Sequence, residues 1–327
     1  MAQRVNVGVA GLGVMGQRML ARIKPHPRLQ VARIWDANPD TLSLCHARHP
    51  ELAMAHSAED LVRAGIDALY VATPPAGHMA LCQLAFDAGL PVLCEAPLAR
   101  DLELARRAVR RIAEGGLRAA VNFPLASSLG LATLCNHFSA ATPRTLGDLH
   151  DVAITLELGG WPRPWQAASG HWLRSRAEGG FVREVLSQFI FMLQRVLGPA
   201  TVWQSALSFG PDGSGTEVKL SAELHAGEVP VRVSGRVDPA LGVAERIEMR
   251  WHASEGSIVL HNWYGLELVS RGGVAQSPGD VHSMRLAAQA LHLVQWLDLI
   301  EGRAHSLPGF AEALAVQETV EDLLRAR

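Results

Sequence analysis

Three glycines, spaced as Gly11-x-Gly13-x-x-Gly16, follow a run of small and β-branched residues that begins at Val5. A helical pattern of apolar residues starts directly after them. Glycines at this spacing allow a tight turn, close approach of the backbone to a pyrophosphate, and packing of the helix on its strand. The N-terminus of such a helix offers N–H groups and a partial positive charge to phosphates. The pattern predicts a dinucleotide-binding turn made of Gly11, Leu12, Gly13, Val14, Met15 and Gly16.

Asp36 stands at the end of the next apolar run, Leu29–Trp35. An acidic residue at this place in a βαβ unit hydrogen-bonds the ribose hydroxyls of a dinucleotide, and its charge repels a 2′-phosphate. Ala37 follows, where an arginine would hold that phosphate. These residues favour NAD as the cofactor, with NADP as the alternative. A structural interpretation of Asp36, as the cap of the next helix, also stays open.

Polar and proline residues stand at the ends of three further apolar strands. They are Thr73-Pro74-Pro75 with His78 after residues 67–73, Glu95-Ala96 after residues 91–94, and Asn122 in residues 119–123. Strands that alternate with helices at this spacing form a parallel sheet, and ligands bind beyond the carboxyl ends of such strands. We therefore expect all of these residues to line one crevice and contact the cofactor. The structural alternatives are a rigid turn for the prolines, a buried histidine for His78, and a carboxylate that accepts backbone N–H groups for Glu95.

The pattern changes after about residue 124. Several strand-like runs then follow one another with little helix between them, which is typical of an antiparallel sheet. We predict an α/β fold with two domains. Residues 1–123 form a Rossmann domain with a doubly wound parallel sheet, and residues 124–327 form an α+β domain with a large, mainly antiparallel sheet. The two helices that end the chain are assigned to the second domain, with packing on the first domain as the alternative.

The composition argues against several classes of protein. The 327 residues carry a formal net charge of −2, so the chain lacks the basic surface that nucleic acid requires. No apolar run is long enough to span a bilayer, and a strand pattern starts within five residues of the N-terminus, which leaves no space for a signal peptide. Four cysteines lie far apart without a C-x-x-C pair, which predicts buried thiols. We expect a cytoplasmic protein that binds a small-molecule substrate and no nucleic acid, membrane or metal.

Four motifs at strand and helix ends follow one another along the chain. They are Gly8-x-Ala10-Gly11-x-Gly13-x-x-Gly16, Ala72-Thr73-Pro74-Pro75-x-x-His78, Gly89-x-Pro-Val-Leu-Cys-Glu95-x-Pro97 and, at the start of a helix, Gly179-Gly180. Together they resemble the glucose-fructose oxidoreductase / inositol 2-dehydrogenase (Gfo/Idh/MocA) family, and the resemblance in domain size and order covers the whole chain. It implies a nicotinamide-dependent oxidoreductase that acts on a sugar, polyol or related carbonyl compound. It also implies a homodimer or homotetramer formed through the C-terminal sheet.

The chain departs from this family's pattern where the family places its proton-transfer groups. The family usually has Glu-Lys-Pro at Glu95-Ala96-Pro97, and alanine cannot polarise a substrate oxygen. After the glycine pair the family has Asp and, four residues later, His. This chain has Glu184 and Gln188 there, still on one helix face, but glutamine does not titrate. The only two lysines, Lys24 and Lys219, lie in the first helix and the distal sheet, where neither can substitute.

Four residues are therefore candidates for proton transfer or substrate positioning: Glu184, His171, Gln188 and Glu95. Glu184 would act as an acid or base if an apolar site raises its pKa. Alternatively it forms a salt bridge to Arg183, Arg174 or Arg176. Gln188 would orient a substrate by hydrogen bonds. His171 lies in the loop before the glycine pair and is the candidate replacement for the missing proton donor.

Aromatic residues provide further candidates. Trp161, Trp165 and Trp172 would form an apolar wall for a substrate, or would serve packing alone. Tyr264, one of only two tyrosines, is a further candidate proton donor. The pattern of aromatic residues does not separate these interpretations.

Two classes of function follow from these residues. The first is an oxidoreductase that transfers a hydride between nicotinamide and a small carbonyl or hydroxyl compound through a non-standard site. Because loss of a general acid costs roughly 10²–10⁴-fold in rate, reduction of an imine that arrives already protonated is a variant of this hypothesis. The second class is a catalytically silent protein that binds the cofactor or a metabolite and acts as a regulator.

Overall fold

The computed structural model describes residues 3–63, 65–139, 146–210, 213, 215–242 and 245–325. Contacts between Cα atoms divide the chain into two compact units. The first unit comprises Met1–Phe123, Ala168–Trp172 and Leu293–Leu314, and the second comprises Pro124–Ala167, Leu173–His292 and Ala315–Arg327. Among the described residues, no helix combines the length and the apolar character needed to cross a membrane.

The first unit is built on a six-stranded parallel sheet. Its strands and helices alternate along the chain: β1 (Val5–Ala10), α1 (Val14–Ile23), β2 (Leu29–Trp35), α2 (Pro39–Arg48), β3 (Ala53–Met54), α3 (Ala58–Arg63), β4 (Ala68–Val71), α4 (Pro75–Asp87), β5 (Val92–Glu95), α5 (Leu102–Gly115) and β6 (Ala119–Asn122). The strand order is β3-β2-β1-β4-β5-β6. Because right-handed crossovers lead away from β1 in both directions, helices cover both faces of the sheet. The predicted doubly wound Rossmann sheet is confirmed.

Apolar side chains on both faces of the central strands form the core of this unit. Val7, Val9 and Tyr70 are completely buried, as expected for parallel strands covered by helices. The segment Leu293–Leu314 adds its own apolar residues to the same core, among them Trp296. The Trp296 ring lies 5.9 Å from the Tyr70 ring, measured between centroids. This packing fixes the position of Tyr70, whose hydroxyl lies at the candidate site described below.

The second unit is built on an eight-stranded sheet. Its elements, some of which extend into the first unit, are α6 (Leu129–Phe138), β7 (Leu149–Leu158), α7 (Ser187–Leu197), β8 (Ala200–Phe209), β9 (Glu217–Ala226), β10 (Val229–Val237), β11 (Glu245–Ala253), β12 (Gly256–His261), β13 (Gly265–Ser270), β14 (Ala275–Gln276), α8 (Val281–Ile300) and α9 (Phe310–Leu324). The strand order is β14-β13-β12-β11-β7-β10-β9-β8. Among the described strand pairs of this second sheet, only β7–β10 is parallel, so the prediction of a mainly antiparallel sheet is confirmed.

One face of this sheet supports α7. Buried and exposed residues alternate along β9, so the strand turns a single apolar face inward. Helix α7 contacts β8 and β9, and its first seven residues are all buried. A single π-helical turn, Val182–Leu186, leads directly into α7. The helix that carries Gln188 is therefore held firmly on the sheet.

Candidate functional site

The glycine turn between β1 and α1 closes only because two of its residues lack a side chain. Gly11 has φ = 94°, and a Cβ atom there would lie 2.4 Å from the carbonyl carbon of Ala72. A Cβ atom at Gly16 would lie 2.0 Å from the Gly11 carbonyl oxygen. At Gly13, by contrast, a Cβ atom would meet no heavy atom of the described chain within 4 Å. The turn is thus tightly closed at Gly11 and Gly16, and open at Gly13.

The open side of this turn is the N-terminus of α1. Gly13 is the N-cap of the helix and, having no side chain, supplies no side-chain hydrogen bond to it. The first turn of a helix has N–H groups without helical partners. Together with the open space at Gly13, these groups form a cradle that fits a pyrophosphate.

Asp36 is fixed beside the glycine turn by two backbone hydrogen bonds. Its Oδ2 accepts the N–H of Leu12 at 2.7 Å, and its Oδ1 accepts the N–H of Asn38 at 2.8 Å. The N-cap of α2 is Asn38, whose side chain accepts the N–H groups of Asp40 and Thr41. Asp36 therefore does not cap α2 by itself, and its carboxylate lies against the backbone of the predicted phosphate-binding turn.

Thr73 stands after β4, where the chain turns into α4. Its Oγ1 is buried and has no hydrogen-bond partner within the described ranges. Pro74 is the N-cap of α4, and Pro75 is the first residue of the helix. A buried hydroxyl without a partner costs about 1–3 kcal/mol. The orphaned Thr73 hydroxyl is therefore a second feature of this sheet edge that fits a polar ligand.

His78 connects the loops that follow β4 and β5. Its Nδ1 lies 3.0 Å from the carbonyl oxygen of Pro97, and its Nε2 lies 2.7 Å from that of Thr73. The ring is buried, and burial lowers the pKa of His78. Because both ring nitrogens face carbonyl oxygens of the chain, His78 ties the Thr73 loop to the loop that contains Pro97. This geometry corresponds to the structural alternative for the residue.

A buried hydrogen-bond network surrounds Glu95 at the end of β5. The Tyr70 hydroxyl and the Asn122 Nδ2 both donate to Glu95 Oε1. The partners come from adjacent strands, since β5 lies between β4 and β6 and Glu95 pairs with Asn122. Burial raises the pKa of Glu95 to about 7, and the Tyr70 and Asn122 hydrogen bonds oppose that rise. The side chain can therefore hold or release a proton near neutral pH.

Sequence reasoning missed Tyr70, which looks like one apolar residue among others in a buried strand. Its completely buried hydroxyl is satisfied by Glu95, a residue 25 positions later in the chain. Asn122 was predicted from the sequence. Its Oδ1 is a buried acceptor that lacks a hydrogen-bond partner in the part of the chain that the structure describes. The carboxyl ends of β4, β5 and β6 thus carry two orphaned oxygens, on Thr73 and Asn122, and one titratable carboxyl group.

Glu184 and Gln188 lie in the second unit, at the start of the helical segment that contains α7. Glu184 is half-buried within the π-helical turn, and Gln188 is 7% exposed. The Gln188 Oε1 is buried without a hydrogen-bond partner among the described residues. The guanidinium group of Arg183 pairs with Glu321, with Nε 2.6 Å from Oε1 and Nη2 2.8 Å from Oε2. π-Helical turns occur frequently at functional sites.

The candidate residues in the loop before this helix are divided between the two units. His171 is exposed at the start of a 3₁₀ turn, and by its contacts the segment Ala168–Trp172 belongs to the first unit. Trp161 donates its Nε1 hydrogen to the Leu173 carbonyl oxygen at 2.9 Å. The Arg163 guanidinium lies 4.6 Å from the centroid of the Trp165 ring.

These tryptophans therefore have packing partners within the second unit. Arg163 also lies over the rings of Trp161 and Trp263, at 5.9 and 5.2 Å. Trp172, by contrast, is half-buried in the segment that belongs to the first unit. Tyr264 follows Asn262 and Trp263, which both have positive φ angles, in the turn between β12 and β13.

The cysteines and other potential ligands form no metal centre in the described ranges, where no group of three or more His, Cys, Asp or Glu side chains could hold an ion. Cys45, Cys82, Cys94 and Cys135 form no disulfide bonds with one another. Burial raises the pKa of the Cys94 thiol well above its ordinary value, which keeps it in the unreactive thiol form.

Known proteins match the chain in two ways. Residues 5–123 match the GFO_IDH_MocA family, described as an oxidoreductase family with an NAD-binding Rossmann fold. An inositol 2-dehydrogenase of Renibacterium salmoninarum is 30% identical over 150 residues. That alignment spans 45% of this chain and 45% of the enzyme, so less than half of either protein is compared.

Solved structures resemble the complete fold. An oxidoreductase of Agrobacterium radiobacter, in complex with NAD+, L-tartaric acid and magnesium, has a TM-score of 0.81 at 16% identity, covering 98% of this chain and 95% of that one. GenD2 from gentamicin A biosynthesis, in complex with NAD, has a TM-score of 0.81 at 20% identity, covering 100% of this chain and 95% of that one. At these identities the likeness concerns the fold alone. Residues 5–123 therefore match an oxidoreductase family with an NAD-binding Rossmann fold, and the rest of the chain resembles known proteins in fold alone.

Proposed function

We propose that the protein is an NAD(P)-dependent oxidoreductase that transfers a hydride between nicotinamide and a small carbonyl or hydroxyl compound such as a sugar or polyol. The single observation that carries this proposal is the set of groups at the carboxyl ends of the parallel strands. There an open glycine turn, the orphaned Thr73 hydroxyl and a carboxyl group with a pKa near 7 lie at the ends of neighbouring strands. The inositol 2-dehydrogenase relatives support a polyol as the substrate.

The residues that would hold the dinucleotide follow from the geometry of this edge. The pyrophosphate would lie at Gly13, where the N-terminus of α1 offers N–H groups and positive charge. Thr73, Pro74 and Pro75 would contact the nicotinamide half, where the Thr73 hydroxyl would donate to a polar atom of the ligand. When bound, the nicotinamide supplies the hydride chemistry.

The carboxylate of Asp36 supports NAD as the preferred cofactor. Its two hydrogen bonds to the backbone hold it close to the glycine turn, where the adenosine ribose would lie. A fixed negative charge accepts hydrogen bonds from ribose hydroxyls and repels a 2′-phosphate. NADP is the alternative, and Asp36 is the residue that decides between them.

Proton transfer would depend on Glu95. Ala96 stands where the resemblance implies a lysine, so the adjacent carboxyl group is the titratable group nearest that position in the chain. With a pKa of about 7, Glu95 can accept a proton from a hydroxyl substrate or return it to a carbonyl oxygen. The orphaned Gln188 Oε1 would orient a substrate by accepting a hydroxyl hydrogen bond. Glu184 and His171 remain the other candidates for the proton.

The combination of Ala96 and Gln188 also supports two alternatives. A protonated imine needs no proton from the enzyme, so its reduction would tolerate both replacements. A protein that binds the dinucleotide without turnover, as a regulator, would tolerate them equally. Each alternative predicts a different result in the same experiment.

That experiment is a titration followed by a substrate panel. Purified protein is titrated with NADH and with NADPH, and binding is followed by cofactor fluorescence. Polyols, sugars, keto acids and imines are then screened for formation or loss of the reduced cofactor's absorbance. Turnover of a polyol or sugar supports the proposal, turnover of imines alone supports the first alternative, and binding without turnover supports the second. Absence of binding contradicts all three.

We also propose a homodimer or homotetramer formed through the eight-stranded sheet. Alternate side chains of β9 are exposed from Lys219 to His225, and Trp203 on the edge strand β8 is 75% exposed. A large aromatic side chain on a strand edge is a liability for a monomer and favours pairing with a second copy. Light scattering of the wild type and of Trp203→Glu tests this: the variant should have a lower mass, and a monomeric wild type contradicts the proposal.

A further inference from the structure

The helical segment that carries Glu184 and Gln188 begins without a cap of its own. Its N-cap residue, Phe181, makes no side-chain hydrogen bond to the first turn, and the glycine pair Gly179-Gly180 precedes it. The N–H groups of a first helical turn have no partners within the helix. When such a turn is buried, another part of the chain has to satisfy them.

Glu217, the first residue of β9, satisfies one of them from the sheet. Its Oε1 accepts the N–H of Val182 at 2.8 Å, although the two residues are 35 positions apart. The Glu217 side chain is 2% exposed. A carboxylate at this place also interacts favourably with the positive end of the helix dipole. Glu217 thus caps the segment across space.

Gly180 makes room for this carboxylate. A Cβ atom at Gly180 would lie 2.5 Å from both Glu217 carboxylate oxygens, and the residue has φ = 103°. Glycine is the only residue that combines this backbone conformation with so close an approach. The buried position of the Glu217 carboxylate therefore requires a glycine at residue 180.

The charged groups around Glu217 come from three parts of the second unit. Arg183 of the π-helical turn lowers the pKa of the carboxyl group, and Glu321 of α9 raises it. Arg176 and Arg325 line the same cavity of about 100 Å³. Burial is the largest influence and raises the pKa above its ordinary value, so the cap loses its charge at a higher pH than an exposed glutamate would.

We propose that Glu217 is a positioning residue for the reaction. By accepting the Val182 N–H from the start of β9, it sets the orientation of Glu184 and Gln188, two and six residues after Val182. The inference rests on the proposed oxidoreductase function. Glu217 does not touch the substrate. It acts through the helix, so its loss should disturb turnover more than cofactor binding.

Two variants and a control test this. Glu217→Ala removes the acceptor, and Glu217→Gln keeps shape and acceptor but removes the charge, as protonation does. Glu228→Ala, in the exposed turn after the same strand, is the matched control. Hydrogen exchange of peptides covering residues 180–188 should be faster in Glu217→Ala than in the wild type, and unchanged in the control.

The kinetic readout separates positioning from general stability. We expect kcat to fall on the order of tenfold in Glu217→Ala and about threefold in Glu217→Gln, because small displacements of positioned groups are costly, while the Kd for NADH stays within about twofold. Protonation of Glu95 gives the wild-type kcat a decline on the acid side, and protonation of Glu217 should make that decline steeper in the wild type than in Glu217→Gln.

The outcomes distinguish this proposal from the proposed function. If the wild type turns over a substrate and Glu217→Ala keeps its kcat and its pH profile, the positioning role is wrong and the oxidoreductase function stands. The same holds if kcat and NADH affinity fall together with a general loss of thermal stability. If the wild type turns over nothing in the panel, the proposed function fails and the positioning role fails with it.

Discussion

The carboxyl edge of the parallel sheet and the α7 segment of the second unit differ in how many of the residues implied by the family resemblance they contain. At the sheet edge, the glycine turn, Asp36, the Thr-Pro-Pro turn and Glu95 are all present. In the α7 segment a glutamine stands in place of the histidine, although the helix keeps its glycine pair and a buried cap from Glu217. Under the proposed function, the residues that would hold the cofactor match the family pattern, and two residues at the positions implied for proton transfer, Ala96 and Gln188, depart from it.

Under the proposed function, the residues that bind the cofactor and the residues that differ from the family pattern form two distinct sets. The glycine turn is constrained by backbone sterics at Gly11 and Gly16, so it cannot vary without loss of the fold. Side chains such as Ala96 and Gln188 carry no such constraint and can vary with the substrate. Substitutions in each region test this distinction.

Gly11→Ala should have the largest effect. Its Cβ atom would lie 2.4 Å from the Ala72 carbonyl carbon in a backbone conformation with φ = 94°, so we expect the free energy of unfolding to fall by roughly 3 kcal/mol or more. Gly13→Ala is the matched control, because its Cβ atom enters open space. It should leave stability unchanged in urea unfolding and weaken NADH binding about tenfold or more. Unchanged NADH affinity in Gly13→Ala would contradict the phosphate-binding role of the turn.

Glu95→Gln should remove a pH dependence of stability. The folded pKa of about 7 is raised above the ordinary value of 4.5, so this group's stabilising contribution is present in full below pH 4.5 and is lost as the pH rises through 7. Between pH 5 and pH 8 the wild type should lose roughly 2 to 3 kcal/mol more than the variant. Urea unfolding at both values measures this, with Glu103→Gln, an exposed carboxyl group on α5, as the control. Parallel pH profiles for wild type and Glu95→Gln would show that Glu95 is ionised as usual.

Ala96→Lys should sharpen the contrast by restoring a proton-transfer group. An ammonium group at this half-buried position should raise kcat for polyol or sugar oxidation on the order of 10²-fold. Arg100→Lys adds a lysine at an exposed position four residues later and should have no effect. An Ala96→Lys variant that binds NADH normally and gains no activity would show that the alanine is not what limits the chemistry.

Asp36→Asn should have the smallest effect. Removing the charge beside the glycine turn should shift the preference between the cofactors by about tenfold towards NADPH, since a carboxylate repels a 2′-phosphate. Asp40→Asn, exposed in the first turn of α2, is the control. The ratio of the Kd values for NADH and NADPH, measured by fluorescence, decides the matter, and an unchanged ratio would assign cofactor choice to other residues.

Much of the first unit could be predicted because its signals are local. The glycine spacing, the Thr-Pro-Pro turn and the alternation of apolar runs with helices each depend on neighbouring residues, whereas the strand order is known only from the structure. The hydrogen bond from Tyr70 to Glu95 could not be predicted, because an apolar strand gives no sign of which buried hydroxyl meets which carboxyl group. Nor could the sequence show that residues 168–172 have their contacts in the first unit.

The second unit was predictable in class and less so in detail. Alternating strand patterns predicted a mainly antiparallel sheet, yet the parallel pairing of β7 with β10, Val231 beside Val152, joins strands far apart in sequence. The capping of Val182 by Glu217 has the same character. A glutamate at the start of a strand resembles many exposed glutamates, and only the three-dimensional packing shows that it is buried against Gly180.

The most direct test of the proposed cofactor site is a crystal structure of the protein with NAD+ bound. We expect the pyrophosphate at the N-terminus of α1 beside Gly13, a ribose hydroxyl hydrogen-bonded to Asp36, and the nicotinamide at the strand ends that carry Thr73 and Glu95. A dinucleotide bound elsewhere on the chain, or a nicotinamide remote from Glu95, would contradict it.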